Sequence, residues 1–452
     1  MRIVIGGEDE VAFRLAEALM GAHEVVLVHG SKASPARLER LDVASVFGSL
    51  GNPEVLEKAR VGHADVFIAC TEEDERNLVA CMAAKRLGGA RTVCFFHRRE
   101  WLRPTDRGEQ SLAASFGIDM VVWPAERLAR EIVKVIETPG ALDLEEFFEG
   151  RVMLLKYPVA PHSSAAGKTV REAGVPAGVV LVGVRHGDRM SLPRGDTQLV
   201  PGDKVFAIGN RAGVGRLASL LGVGVGDARG GPITVVGGGS VGSMVAEGLE
   251  PASGADIKVI EPDPVRCEEI SRTLRKALVV QGDGTKLDLL ESEGVAESRV
   301  LVAVTNSDER NLLISLLGKQ LGIPRIVTRA GSAVNERLFE RVGIDVVRSA
   351  QGTAIQAVLA DLIGGRSRLL AEVEHGDARV LQIDVPEGMP ARRLKEMHAP
   401  VFAIVGAIER AGKTIIPRGD DEVKGGDRIV VFCDAASEPT ARTFFEHGNG
   451  GA

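Results

Sequence analysis

Three glycines and one carboxylate have the types and the spacing that bind a nucleotide. The short apolar run Ile233–Val236 leads into the sequence Gly-Gly-Gly-Ser-Val-Gly, which matches G-x-G-x-x-G. Gly237 permits a tight strand-to-helix turn, Gly239 lets backbone approach a pyrophosphate, and Gly242 lets the helix pack close to the sheet. Glu261 follows about 20 residues later, where a carboxylate can accept both hydroxyls of an adenosine ribose.

The rest of the predicted site lies at the ends of neighbouring strands. Backbone N–H groups of the turn and the positive end of the helix dipole face the phosphates. The turn residues assigned to the nucleotide are Gly237, Gly238, Gly239, Ser240, Val241 and Gly242. The remaining assignments are Glu261 at the ribose, Asp283 and Gly284 with Thr285 toward the adenine, Thr305 and Asn306 over the nucleotide, and Arg329 at a phosphate. Asp283 is equally well explained as a turn residue.

The ligand follows in part from Glu261. A carboxylate at this place favours a free 2'-hydroxyl, so NAD(H) is preferred to NADP(H). The ribose of ATP or ADP satisfies the same carboxylate, and the sequence leaves these ligands open.

Composition excludes several other classes of protein. The 452 residues carry a net charge of −7 and contain one Tyr and two Trp, which is unlike a basic, aromatic nucleic-acid binder. No apolar run approaches the roughly 18 residues of a membrane span, and the first predicted strand follows Met1 directly, so neither a span nor a signal peptide is expected. Five scattered cysteines without a C-x-x-C pair indicate a reduced, cytoplasmic chain without a metal site.

The sequence contains an internal repeat, in which the second half resembles the first. Residues 71–77 read Thr-Glu-Glu-Asp-Glu-Arg-Asn, and residues 305–311 read Thr-Asn-Ser-Asp-Glu-Arg-Asn. Later, residues 193–204 and 417–428 share Pro-Arg-Gly-Asp and Gly-Asp turns. Each half begins with alternating strands and helices, which predicts a parallel sheet, and ends in short strands between turns.

The predicted fold class is therefore α/β, with two Rossmann-type parallel-sheet domains, each followed by a small α+β domain. The predicted boundaries place Rossmann-type domains at 1–138 and 232–364, small domains at 139–222 and 365–436, a glycine-rich linker at 223–231 and a tail at 437–452.

The first copy has lost the features of the nucleotide site. When the strands of the two copies are aligned, Gly239 falls opposite Asp9 and Glu261 opposite His29, while Arg329 falls opposite Phe95. Residues 8–10 place three carboxylates where a pyrophosphate would lie. A unit charge pair about 4 Å apart at an effective dielectric of 20 is worth roughly 4 kcal/mol, which exceeds the roughly 0.3 to 2 kcal/mol of the helix dipole. These carboxylates are expected to cap the first helix, and one nucleotide site per chain is predicted; a cationic or uncharged ligand in the first copy is the weaker alternative.

A dehydrogenase also needs an acid–base group beside the nicotinamide. The sequence contains no Tyr-x-x-x-Lys and no convincing His–carboxylate pair, and His375 and His398 have no evident partner. A nucleotide site without catalytic residues indicates a sensor, so the chain is predicted not to be an enzyme. A cytosolic NAD-dependent oxidoreductase is the alternative hypothesis, and a regulator of another channel or transporter is a third.

The motifs in this order, duplicated along the whole chain, resemble the TrkA family of cytosolic regulatory subunits of prokaryotic Trk potassium uptake systems. The resemblance implies two regulator-of-potassium-conductance (RCK) units per chain, each a Rossmann domain with a small C-terminal domain. It also implies a homotetrameric gating ring on the cytoplasmic face of the inner membrane, below a TrkH-like integral membrane subunit. NAD(H), or ATP and ADP, would bind the Rossmann domains and change the shape of the ring.

Overall fold

The computed structural model describes residues 1–30, 38–102, 104–105, 108–187, 189–223, 231–251, 256–362, 367–397 and 403–447. Two parallel sheets alternate with two antiparallel sheets along the chain. The predicted α/β fold class is confirmed.

The first parallel sheet has the strand order β3-β2-β1-β4-β5-β8, which is the Rossmann order 3-2-1-4-5-6. Its strands and a small hairpin, β6 with β7, are β1 Arg2–Gly6, β2 Glu24–His29, β3 Ala44–Phe47, β4 Val66–Ala69, β5 Arg91–Phe95, β6 Pro104–Thr105, β7 Gly108–Ser111 and β8 Met120–Val122. The α-helices are Glu10–Leu19, Pro53–Lys58, Asp74–Gly88, Leu112–Ser115 and Pro124–Glu137. The centre of the sheet is fully apolar, because helices cover both faces of a parallel sheet.

The first antiparallel sheet has the order β12-β11-β13-β10-β9. The strands are β9 Asp143–Phe147, β10 Val152–Pro158, β11 Val179–His186, β12 Arg189–Ser191 and β13 Lys204–Gly209, and the helices are Val170–Ala173 and Arg211–Leu220. The predicted turns are present: the N–H of Arg194 donates to Thr197 Oγ1 over 2.8 Å.

The second parallel sheet repeats the first, with the order β16-β15-β14-β17-β18-β19. The strands are β14 Ile233–Val236, β15 Ile257–Glu261, β16 Leu278–Gln281, β17 Val300–Ala303, β18 Ile326–Ala330 and β19 Val346–Ser349. The helices are Ser240–Leu249, Pro264–Thr273, Leu287–Ser292, Asp308–Gln320, Ala333–Arg341 and Ala350–Leu362. In both parallel sheets the first strand of the copy lies at the point where the strand order reverses, and open α/β sheets bind their ligands there.

The second antiparallel sheet has the order β20-β21-β26-β23-β24, and β22 pairs with β25 beside it. The strands are β20 Ser367–Val373, β21 Ala378–Asp384, β22 Arg392–Arg393, β23 Ala403–Arg410, β24 Lys413–Ile415, β25 Glu422–Val423 and β26 Arg428–Asp434. The helix Glu438–His447 follows, and its Ala441 and Phe445 lie in the apolar core of this domain.

The described residues form two compact units. One comprises Met1–Leu128, Ala330–Glu336 and Arg348–Leu359, and the other comprises the described parts of Ala129–Arg329, Arg337–Val347 and Ala360–Ala452. Most of the predicted linker, the boundary at 364–365, His398 and the last five residues lie outside the described residues. None of the described helices is long and apolar enough to cross a bilayer.

Candidate nucleotide-binding site

The glycine turn after β14 has the geometry that its sequence requires. Gly237 has φ +107°, and a Cβ there would lie 2.9 Å from the backbone N of Thr305. A Cβ on Gly242 would lie 1.8 Å from the carbonyl oxygen of Gly237, so only glycine lets the helix start this close to the strand. Gly239 is different, because a Cβ there would meet only Arg266 Nη1, at 3.8 Å. Space for a ligand therefore lies beside Gly239.

Glu261, at the end of β15, holds the same turn. Its Oε2 accepts a hydrogen bond from the N–H of Gly238 over 2.6 Å, and its Oε1 accepts from the N–H of Asp263 over 3.1 Å. The side chain is 8% exposed. A carboxylate has about four lone-pair positions, so two remain for the hydroxyls of a ribose. Glu261 thus fixes the turn and faces the space beside it.

Asp283 lies at the opposite wall and is partly occupied. Its Oδ1 accepts hydrogen bonds from the N–H and hydroxyl of Thr285 over 3.1 and 2.8 Å. Arg310 Nη2 lies 3.3 Å from the same oxygen. The hydrogen bonds from Thr285 and the charge of Arg310 lower the pKa of Asp283, so its carboxylate is ionised at neutral pH. Asp283 therefore both stabilises the turn and lines the cavity.

Asn311 joins the ends of β17 and β18. Its Oδ1 accepts from the N–H and the hydroxyl of Thr305 over 2.8 and 2.7 Å, and its Nδ2 donates to the carbonyl oxygen of Arg329 over 3.0 Å. Arg329 Nη1 donates to Asn306 Oδ1 over 3.2 Å. Burial lowers the pKa of the Arg329 guanidinium. Asn306 therefore lies between the cavity and a half-buried cation.

These side chains enclose a cavity of about 220 Å³ at the carboxyl ends of β14, β15 and β17. Its lining is Val236, Gly237, Gly239, Ile260, Glu261, Pro262, Arg266, Asp283, Gly284, Thr285, Val304, Thr305, Asn306, Arg310 and Ile314. Apolar side chains with a few polar groups are the usual lining of a small-molecule site. The cavity is smaller than the roughly 300 to 1,000 Å³ of a site that encloses a whole ligand, so part of a nucleotide would extend outside it.

Of the residues assigned from the sequence, the cavity brings together Gly237, Gly239, Glu261, Asp283, Gly284, Thr285, Thr305 and Asn306. The assigned residues that do not line it are Gly238, Ser240, Val241, Gly242 and Arg329. A Cβ on Gly238 would lie 2.3 Å from Ile270 Cδ1, so a larger residue there would displace the end of that side chain. Ser240, Val241 and Gly242 form the first turn of the helix Ser240–Leu249.

Two arginines in the lining were not predicted from the sequence. Arg310 belongs to the repeated motif, and Arg266 lies in the first turn of the helix after β15. In the described part of the chain, the Arg266 side chain is exposed and has no hydrogen bond or ion pair. Its position five residues after Glu261 was the available signal, because the start of that helix lies beside the ribose in this fold. The two guanidiniums balance the charges of Glu261 and Asp283, so the lining has no net formal charge, unlike the acidic first copy.

The first copy keeps the same framework without the ligand features. The hydrogen bonds by which Asn311 joins two strand ends are repeated here by Asn77, which accepts from Thr71. Asn77 Nδ2 also donates to the Phe95 carbonyl oxygen over 3.0 Å. Asp9 is the N-cap of the helix Glu10–Leu19 and accepts from the N–H of Ala12 over 3.2 Å. The expectation that a carboxylate caps this helix therefore agrees with the geometry.

The cavity at this place in the first copy measures only about 80 Å³. Its lining is Glu8, Asp9, Thr71, Glu72, Glu73 and Arg76, four acids and one base. Burial, and next the charge of Glu72, raise the pKa of Asp9. Leu50, which aligns with Gly284, is buried. The negative charge thus repels a phosphate ligand, and the larger side chain of Leu50 reduces the space for one. The described residues contain no cluster of three or more His, Cys, Asp or Glu that could hold a metal ion.

Comparisons with known proteins agree with this architecture. The TrkA-N domain family model matches residues 3–124 and 233–350, and the TrkA-C domain model matches residues 154–222. The Trk system potassium uptake protein TrkA homolog of Archaeoglobus fulgidus is 34% identical over 433 residues, which cover 96% of this chain and 97% of the relative. TrkA homolog 1 of Methanosarcina mazei is 31% identical over 458 residues, covering 99% and 100%. These relatives are named for potassium uptake and not for a chemical reaction.

Solved structures share the fold. The GsuK RCK domain has a TM-score of 0.59 at 23% identity and covers 97% of this chain and 93% of its own. The GsuK channel bound to NAD has a TM-score of 0.59 at 22% identity, with 97% and 78% covered. Matches to both family models over most of the chain, and relatives above 30% identity over nearly its full length, lead to one conclusion: the chain belongs to the TrkA family.

Proposed function

We propose that this chain is the nucleotide-sensing regulatory subunit of a potassium uptake system. In this proposal the second Rossmann domain binds NAD(H), or ATP and ADP, and the bound nucleotide changes potassium flow through a membrane partner. The observation that supports it best is the difference between the copies. One has an open glycine turn beside Glu261 and two arginines, and the other places four acids at the equivalent position.

The relatives support the same proposal. Their names place them in Trk potassium uptake systems. A channel of the same fold has been solved bound to NAD, which agrees with the ligand expected from Glu261. We further propose a homotetrameric ring on the cytoplasmic face of the inner membrane, below a TrkH-like subunit, with the four domains and boundaries predicted from the sequence.

The site suggests how binding is transmitted. The phosphates lie along Gly239 and Arg266, while the ribose lies at Glu261. Asn306 contacts the nucleotide on one side and Arg329 on the other, so a ligand that engages Asn306 acts on the end of β18. Binding then favours one of two packings between domains. A coupling of about 1 to 3 kcal/mol changes gating about 5- to 150-fold.

Equilibrium titration of the purified protein with NADH, NAD, ATP and ADP tests this function. We expect one site per chain, and binding at two sites per chain would refute the assignment. Glu261→Gln keeps a side chain of the same size that can still accept from Gly238, so it should weaken binding without loss of the fold. Copurification of an integral membrane potassium transporter, with flux that responds to the bound nucleotide, tests the regulatory role.

Oxidoreductase activity remains the competing hypothesis. The cavity lining contains no Tyr, His, Lys or Cys that could act as an acid–base group. We therefore expect no oxidation of NADH with small carbonyl compounds, and steady turnover would favour the enzyme over the sensor.

A further inference from the structure

The two antiparallel sheets, of the first and second C-terminal domains, pack against each other. Phe206 and Phe432 meet with ring centroids 6.4 Å apart. The shared apolar core contains Phe147, Val152, Leu154, Val182, Phe206 and Ile208 from the first sheet and Ala371, Val373, Ala378, Val380, Ala407, Val430 and Phe432 from the second. The sheets have the same strand order, so the contact is an approximate two-fold pairing of duplicated domains.

Strand register identifies equivalent positions in the two sheets. Lys204 opposes Arg185 in the first sheet, and Arg428 opposes Glu409 in the second, so Arg185 and Glu409 are equivalent. Arg151 directly precedes β10, and the first residue of β10 opposes the last residue of β9. Asp377 directly precedes β21, and the first residue of β21 likewise opposes the last residue of β20. Arg151 and Asp377 are therefore equivalent as well.

Two ion pairs join the sheets at these positions. Arg151 Nη2 lies 2.6 Å from Glu409 Oε1, and Arg185 Nη1 lies 3.4 Å from Asp377 Oδ2. By the equivalence of register, they are the same contact made twice around the approximate two-fold axis. The signs are exchanged, because the first copy supplies both cations and the second copy both anions.

We propose that these exchanged charges make each C-terminal domain selective for the C-terminal domain of the other copy. A pair of first-copy domains would place Arg151 against Arg185, and a pair of second-copy domains would place Asp377 against Glu409. Like charges in such contacts are a common device against a wrong partner. The partner that this face of the first C-terminal domain selects is thus the second C-terminal domain, and the second selects the first.

A buried glutamate strengthens the asymmetry. Glu374 forms ion pairs with both Lys156 and Arg185 of the first copy. Its equivalent in the first copy is Phe148, and both residues have positive φ, +51° and +50°. In a pair of first-copy domains, Phe148 would take the place of Glu374, and Lys156 and Arg185 would lack this carboxylate. An unpaired buried charge is strongly destabilising.

Side-chain size acts in the same direction. Gly406 is the extra residue of a β-bulge in β23, and Val182 is the extra residue of the bulge in β11. A Cβ on Gly406 would lie 2.5 Å from Ile208 Cδ1 of the first copy. In a pair of first-copy domains, Val182 would take the place of Gly406 against Ile208. The close packing of this contact requires the second copy on one side.

The test uses the full chain with a protease site placed in the connector 224–230 and cut after folding. Dissociation of the halves is then followed by dilution. Reversing one charge of the pair between the partly exposed Arg151 and the mostly buried Glu409, with Arg151→Glu or Glu409→Arg, should weaken association about 2- to 25-fold. The double variant should bind more tightly than either single variant, which also shows that the fold is kept; recovery is partial because Glu409→Arg removes the partner of Arg428 as well. Lys395→Glu, in an exposed pair within one domain, is the control and should leave association unchanged.

Native mass spectrometry of the cut protein tests selectivity directly. Among dimers of halves, we expect first–second pairs in the wild type, and a larger share of first–first pairs with Arg151→Asp, which would then face Arg185. A double variant as weak as the two single changes combined would overturn the proposal. Wild-type first–first pairs as abundant as first–second pairs would overturn it too.

Discussion

Replacing Gly239 with aspartate should remove nucleotide binding and leave the fold intact. Gly239 is the N-cap of the helix Ser240–Leu249, with φ −65° and ψ −171°. Asp9 is the equivalent N-cap in the first copy, with φ −108° and ψ −176°. A Cβ at position 239 meets only Arg266 Nη1, at 3.8 Å, so the side chain fits and can accept from the helix N–H groups.

Charge decides the effect on binding. A carboxylate about 4 Å from a phosphate charge at an effective dielectric of 20 costs roughly 4 kcal/mol. The helix dipole still contributes about 0.3 to 2 kcal/mol in favour of the phosphate, and Arg266 screens part of the new charge. A net loss of about 2 to 4 kcal/mol corresponds to roughly 30- to 1,000-fold weaker binding. The change in the free energy of unfolding should be only a few tenths of a kcal/mol, because aspartate and glycine are both accepted N-caps.

Calorimetric titration with NADH and ADP, beside thermal unfolding, measures both effects. Gly239→Asn is the matched control, since asparagine has the same size and also caps a helix but carries no charge. We expect it to bind at most about tenfold more weakly than the wild type. Wild-type affinity in the aspartate variant would refute the reasoning about the phosphate position. An equal loss with asparagine would show that size, and not charge, is responsible.

Three further predictions follow from contacts of the described residues. Arg266→Gln should weaken nucleotide binding about 5- to 20-fold in titrations, because one charge-assisted hydrogen bond is lost, while Arg272→Gln on the same helix should have no effect. Asn311→Ala should lower the free energy of unfolding by about 1 to 3 kcal/mol in denaturant titrations, since it leaves buried backbone groups unpaired. Burial alone would raise the pKa of Glu374, but the charge of Lys156 holds it below its ordinary 4.5. The stability it contributes is therefore present above pH 4.5 and lost as the pH falls below it, and Glu374→Gln should remove that part of the acid transition.

Local requirements explain why the glycine turn could be predicted from the sequence. Two of the glycines are fixed by local backbone geometry: Gly237 has a positive φ, and a Cβ on Gly242 would lie 1.8 Å from the carbonyl oxygen of Gly237. Such needs are visible in a short run of residues. The fold class follows for the same reason, because alternating strands and helices leave one common arrangement for a parallel sheet.

Side-chain direction explains what could not be predicted. Arg329 was assigned to a phosphate because it ends a strand, yet its guanidinium donates to Asn306 outside the cavity lining. Arg310 was read only as part of the repeat, and the structure places it over the cavity. The shared Thr and Asn of that repeat served to align the copies, but their hydrogen bonds show that they clamp two strand ends. Such a role depends on residues from another strand.

Duplication creates a problem of pairing that the two copies resolve by divergence. Two identical domains can pair with themselves as well as with each other, and only differences at equivalent positions remove that freedom. The C-terminal sheets differ by exchanged charge at Arg151 and Asp377 and by size at Val182 and Gly406. A carboxylate likewise stands in one Rossmann domain where the other has glycine. The same kind of change, one charge placed in one copy only, thus separates a ligand site from a structural partner and a correct domain pair from an incorrect one.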